Sequence, residues 1–246
     1  MISAYCILHY GVEWLRWSIR SVIDQVDEFH IFYTPIPSHG FATNYPNPET
    51  REQLYAEVMD FDERLYWHDC PDRFEHEGYH REFAVKTCVD RGADTIVVVD
   101  ADEIWAPGVL KVALEMSTRP DVHSFRINMM HFWRSLKWVC YDSSGPTRII
   151  KPHVHDMSEG FLSGRVYHMG YAQTPEIIFY KMQIHGHFSE WRRDWYDKIF
   201  LPWHPGMRDV HPTSIDFWTP VRFEDNGTLE KLVGDHPYWG KDIIGE

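Results

Sequence analysis

The chain has 246 residues, 37 of them acidic and 24 basic, for a formal charge of −13 with its 16 histidines neutral. Hydrophobic residues are 43% of it and charged residues 25%, which excludes a disordered tail and a fibrous repeat and suits one folded α/β domain. The acid excess repels polyanions, so nucleic acid is a disfavoured partner unless a local basic patch overrides the average.

The N-terminus lacks the basic, apolar and small-residue order of a signal peptide, and no apolar run approaches the roughly 18 residues of a membrane span. The expectation is a soluble, cytoplasmic protein. Cys6, Cys70, Cys88 and Cys140 lie far apart without a C-x-x-C, which suits reduced thiols better than a disulfide framework or a zinc knuckle. Eleven tryptophans must either fill the interior or line a site where flat ligands and sugar faces stack.

In chain order, Ile2–Leu8 reads as a buried strand, and Val12, Leu15, Ile19, Val22 and Ile23 fall at helical spacing. Glu28–Tyr33 predicts a second strand, followed by a Pro, Asn and Gly-rich loop to Asn47. A short helix over Glu49–Met59 leads to a strand near Arg64–His68, and residues 78–91 predict a helix closed by Arg91-Gly92. Thr95-Ile-Val-Val-Val-Asp100-Ala-Asp102-Glu103 then describes a strand buried on both faces whose carboxyl end emerges among acids. A helix after Pro107 runs to about Met116; strands follow at His123–Phe132, Thr147–Lys151 and Phe161–Met169. Thr174-Pro175-Glu176 opens a further helix with Ile177, Tyr180, Ile184, Phe188 and Trp191 on its apolar face. Residues 200–220, rich in Pro, His and Trp, read as irregular structure wrapping back over the domain.

Alternating strands and helices imply a mainly parallel sheet with helices on both faces, in which ligands bind outside the carboxyl ends of the strands. If the strand persists through them, Asp100 and Asp102 leave one face, where two carboxylates and substrate phosphate oxygens suit magnesium or manganese. Such a cation would neutralise a diphosphate leaving group.

The order of these elements, with Arg81-Glu-Phe-Ala and Gly92-Ala-Asp-Thr-Ile-Val-Val-Val-Asp-Ala-Asp-Glu, resembles the nucleotide-sugar domain of GT-A glycosyltransferases, family-2-like enzymes in particular. The resemblance implies a Rossmann-like α/β fold, residues 1–246 as one domain, with a nucleotide-sugar half (1–110) and an acceptor-side C-terminal half (111–246). By position it puts Arg81 near the nucleotide diphosphate, His9 and Tyr10 near the nucleoside, and Asp69 after the third strand; Glu82 replaces the family's usual Asn. It also matches Val166-Tyr-His168-Met-Gly-Tyr ahead of the Lys181 helix to the family's H-x-G-Y element, making His168 the third metal ligand. Imidazole with carboxylates suits manganese.

Lys181 and His185 share a helix face that can meet a diphosphate, whereas His185 and His187 diverge by about 200° on a helix and cannot share a metal. Arg192, Arg193 and Lys198 form the densest cationic cluster, read equally as a phosphate site or a solvated helix end. An inverting transfer needs a general base, for which Glu159, Asp156 and Glu190 are the candidates. Trp133, Trp191, Trp195, Trp203 and Trp218 offer stacking faces.

The resulting expectation is a metal-dependent transfer of a sugar from a nucleotide diphosphate sugar to an acceptor hydroxyl, with Asp100, Asp102 and His168 around Mn²⁺ or Mg²⁺. The rivals are a phage-type nucleic-acid-modifying glycosyltransferase, a sugar nucleotidyltransferase and a noncatalytic carbohydrate- or metal-binding protein. His9-Tyr10-Gly11-Val12 is not the Gly-rich phosphate loop of the nucleotidyltransferases, and the intact Asp-x-Asp opposes the noncatalytic reading.

Overall fold

A computed structural model describes residues 1–38, 43–61, 63–70, 74–106, 108–142, 145–154, 158–184, 188–215 and 217–244. The parallel part consists of β1 (Ile2–Leu8), α1 (Leu15–Val22), β2 (Glu28–Tyr33), α2 (Arg51–Ala56), β3 (Leu65–Asp69), α3 (Glu77–Asp90) and β4 (Thr95–Val98). Then come β5 (Glu103–Trp105), α4 (Val109–Met116), β6 (Ser124–Trp133), β7 (Trp138–Asp142), β8 (Thr147–Ile150), β9 (Glu159–Tyr171), α5 (Pro175–Ile184), β10 (Val221–Arg222) and α6 (Thr228–Val233).

Side-chain alternation in the first strands sets the layers. Ala4, Cys6 and Leu8 of β1, Phe29 and Ile31 of β2 and Val97 of β4 pack with Leu15, Ile19 and Val22 of α1 on one face. Tyr5, Phe32, Ile96 and Val98 pack with Ala84 and Cys88 of α3 on the other. Helices therefore cover both faces, as the apolar strand runs require.

One sheet runs in the order β10-β7-β6-β8-β4-β1-β2-β3. Its β3-β2-β1-β4 part is parallel. Beyond β4 the pairings of β8, β6, β7 and β10 are antiparallel. Along this path parallel pairing is confined to the first four strands of the chain.

β9 leaves the main path, pairing parallel with β6 and antiparallel with the three-residue β5. That crossing sets Glu103 directly opposite His168. Gly108 and Gly227, both with positive φ, stand at the N-caps of α4 and α6. The strand before the acids ends earlier than its spacing predicts, at Val98, and α5 spans Pro175–Ile184. All four cysteines are free and buried. Among the described residues no helix is long and apolar enough to cross a membrane.

Candidate active site

A cleft of about 260 Å³ opens at the carboxyl ends of β1 and β4, bounded by the first turns of α3, the end of β9 and α5. His9, Tyr10, Arg81, Asp100, Asp102, His168 and Lys181, all expected at a donor site, line it.

Two small residues allow this convergence. Gly11 has φ +139°, and a Cβ there would stand 2.7 Å from Ala101 Cβ, so the loop after β1 packs directly on the Asp-Ala-Asp turn. A Cβ on Gly170 would lie 2.4 Å from His168 Cε1 and 2.9 Å from Lys181 Nζ. The glycine of His-x-Gly-Tyr therefore makes room for the imidazole and the ammonium together.

Because the strand ends at Val98, Asp100 and Asp102 stand on a turn closed by the Glu103 N–H donating to the Asp100 carbonyl at 3.1 Å. Both line the cleft, and they differ in their partners. Asp100 Oδ2 accepts from Arg148 at 2.7 Å and Oδ1 from Arg81 at 3.4 Å. Arg148, 6% exposed, also grips the fully buried Glu103 through both oxygens. Burial works to raise the Asp100 carboxyl, and the Arg148 and Arg81 guanidinium groups outweigh it and hold it below the usual range.

Asp102 faces the cleft. Its Oδ1 is 3.5 Å from His168 Nε2, and its Oδ2 accepts from Gln173 at 3.2 Å and Lys181 at 3.4 Å. Here too burial works to raise the carboxyl, and Lys181 and His168 hold it well below the ordinary value. His131 approaches His168 with Nδ1 to Nδ1 at 2.7 Å, leaving His168 Nε2 for the cleft. Among the described residues no group of three His, Cys, Asp or Glu side chains has metal-holding geometry. The donors that converge are Asp102 and His168.

The cleft lining carries three carboxylates, Glu77, Asp100 and Asp102, against the two cations Arg81 and Lys181. The Arg148–Glu103 pair behind them adds no net charge. A site with one net negative charge repels a diphosphate unless a cation accompanies it.

The loop after β1 is firmly braced. His9 donates from Nδ1 to the Thr34 carbonyl at 2.8 Å and meets the Tyr180 hydroxyl at 2.7 Å through Nε2, so its ring positions the loop. Buried Glu49 accepts from the Gly11 and Val12 N–H groups at 2.6 and 3.0 Å. Glu13 accepts from the Thr174 N–H that precedes α5. His236 donates to the Glu13 carbonyl at 2.6 Å and stacks on Trp14 with centroids 3.7 Å apart.

Other expected residues lie elsewhere. Asp69 is held bidentately by Arg51 at 2.6 Å and does not line the cleft. Glu159 begins β9 opposite Ser124, while His168 pairs with His131. Those positions are seven steps apart along β6, roughly 23 Å of strand, so Glu159 is corrected from general base to a surface partner of Arg126 and Thr147. Asp156, His155, His185 and His187 lie outside the described residues. Arg192 is spent on Asp209 and the His211 carbonyl, and Lys198 on Asp194. Those contacts account for two members of the basic cluster by local pairing.

Sequence reasoning passed over Arg148, Glu103 and His131 as site residues. Arg148 interrupts the apolar run Thr147-Arg-Ile-Ile, and a cation there signals a buried partner.

No protein-family model matches the sequence, and no curated protein does. Solved structures with a similar chain trace include glucosyl-3-phosphoglycerate synthase from Mycobacterium tuberculosis, in complex with Mn²⁺ and UDP-glucose. It is 15% identical over 52% of this chain and 43% of that one, with a TM-score of 0.34. GalNAc-T7 with UDP, GalNAc and Mn²⁺ is 12% identical over 99% of this chain and 55% of that one, with a TM-score of 0.46. A third, 4-diphosphocytidyl-2C-methyl-D-erythritol synthase, is 9% identical over 66% and 88% of the two chains, with a TM-score of 0.38. The chain spans about half the length of the first two. At these scores the likeness carries no argument about activity, and the chemistry of the cleft rests on this chain's own side chains.

Proposed function

We propose that the chain is a glycosyltransferase that uses a nucleotide diphosphate sugar and a divalent cation. The observation that carries this reading is the pairing of Asp102 Oδ1 and His168 Nε2, 3.5 Å apart, in a cleft at the carboxyl edge of the parallel strands that also holds Lys181 and Arg81. One carboxylate and one imidazole, completed by phosphate oxygens, form a donor set that suits Mn²⁺ or Mg²⁺. The His131 contact on the other nitrogen of His168 is the outer support such a ligand needs. In this reading Asp100 is a strut held by Arg148 and Arg81, and the metal ligands are Asp102 and His168.

When bound, the cation supplies Lewis-acid stabilisation of the departing diphosphate. The remaining work falls to side chains already in place. Lys181 and Arg81 face the diphosphate as fixed positive charges, and neither needs to reorganise as negative charge grows on the leaving group. Tyr10 and the braced His9 loop border the nucleoside end. The acceptor hydroxyl enters from the C-terminal half, where Tyr171 and Gln173 line the cleft.

The test is a thermal-shift screen of UDP-, GDP- and other nucleotide sugars with and without Mn²⁺, followed by measurement of nucleoside diphosphate release. A ligand selective for the native state at 100 times its Kd contributes about 2.7 kcal/mol, a shift of several degrees. The expected result is a shift that requires both the nucleotide sugar and the metal. Failure of every nucleotide sugar to raise the melting temperature, metal present or absent, would refute the reading.

A further inference from the structure

Away from the cleft, a second concavity of about 380 Å³ lies between the turn after β6, the segment around Trp203 and the C-terminal strip near Asp242. Its walls are preformed. Trp138 and Trp203 meet at 73° with centroids 5.3 Å apart, making a corner of two indole rings. Ser135 bridges Asp242 in antiparallel fashion, and Lys137 reaches the Asp242 carboxylate at 3.4 Å.

Arg134 is the unusual member. Its backbone is left-handed at φ +56°, a conformation that costs a residue other than glycine on the order of 1 kcal/mol and collects at functional positions. The guanidinium lies over the Trp203 ring at 5.7 Å and gives one hydrogen bond, Nη1 to the Trp203 carbonyl at 2.7 Å. Among the described residues no carboxylate hydrogen-bonds to it; burial lowers its pKa, outweighing the attraction of Asp242 on the same wall. The Trp203 Nε1 is also buried without a partner among the described residues. A half-buried guanidinium with unspent donors, beside two indole rings on the same wall, suits a ligand with a flat apolar face and an acceptor-rich edge.

We infer that this concavity is a second carbohydrate site that takes a pyranose bearing a carboxylate, a hexuronic acid residue. The ring's C–H face stacks on the indoles, and its carboxylate receives the Arg134 fork. The site stands apart from the donor cleft, so occupancy needs neither nucleotide nor metal and survives if the catalytic reading fails.

The experiment is a titration of the whole chain, without nucleotide, with methyl glucuronide and methyl glucoside, followed by the indole N–H signals in ¹H–¹⁵N spectra. The Trp203 signal is assigned by its loss in Trp203→Phe. Arg134→Asn is the charge-removing variant, since Asn tolerates a left-handed backbone. The expected result is saturable shifts at Trp203 and Trp138, with the glucuronide binding about tenfold more tightly than the glucoside and that preference lost in Arg134→Asn. Equal affinity for the two glycosides, an unchanged preference in Arg134→Asn, or no shift at either tryptophan would overturn the inference.

Discussion

The two aspartates at the end of β4 are two residues apart and live in different electrostatic worlds. Asp100 belongs to a unit in which Arg148 spans it and the buried Glu103 while Arg81 takes its other oxygen. Asp102 belongs to another, where Lys181, Gln173 and His168 approach at 3.2 to 3.5 Å, and both acids line the same cleft. The difference teaches that an Asp-x-Asp is not one ligand pair by virtue of its spacing. The turn after Val98 gives the two acids different partners, and in the proposed reading one holds the floor while the other faces the ligand.

The largest effect is expected from breaking the floor. Arg148→Met strands Asp100 and Glu103 without their shared counter-charge, and loss of one partner from a buried pair costs about 3–5 kcal/mol. Urea unfolding would register this as a lower midpoint with an unchanged slope; a loss below about 1 kcal/mol would erase the distinction between floor and mouth.

The frame of the mouth responds to pH instead. His236 accepts from the Tyr238 N–H at Nδ1 while donating from Nε2, and burial with this neutral geometry brings its pKa down to about 4. Between pH 6.5 and about 4 the unfolded chain binds a proton that the folded chain refuses, so stability falls as pH falls, by roughly 3 kcal/mol at most. Unfolding curves across that window should show a shallower slope for His236→Gln. An identical slope would remove His236 from the account.

A smaller effect sharpens the picture of the Asp102 side. Gly170→Ala places a methyl within 3 Å of both His168 and Lys181, which must give way. About a tenfold loss of metal-dependent nucleotide affinity is expected, near 1.4 kcal/mol, with little change in melting temperature; calorimetry that finds full affinity would show that the mouth tolerates displacement.

Much of the first half was legible in the residues, because β-branched runs and helical spacing state their own period. Glu28–Tyr33 and Ile2–Leu8 have the bounds their patterns indicate, and the strand of Thr95 does end among acids. The division between Asp100 and Asp102 was not legible. It depends on where the strand stops and on Arg148, which is 48 positions from Asp100 in sequence and reaches it only through the antiparallel β4–β8 pairing. β5 escaped notice because Glu103-Ile-Trp is too short to show a period, yet its pairing with β9 is what delivers His168 to Asp102. β7 was missed since it is defined by its partner: its hairpin with β6 turns through Arg134, whose left-handed backbone has no signature in residue type. Glu159 was misplaced for the converse reason, since position along a strand says nothing about which end meets the cleft.

The central claim is that Asp102 and not Asp100 holds the divalent ion. Mn²⁺ binding in the presence of UDP, followed by loss of the free-ion paramagnetic resonance signal, tests it in parent, Asp102→Asn and Asp100→Asn proteins. The account predicts at least about a tenfold loss of Mn²⁺ affinity for Asp102→Asn, and for Asp100→Asn lower stability with affinity near the parent's. Unchanged Mn²⁺ affinity in Asp102→Asn would contradict it.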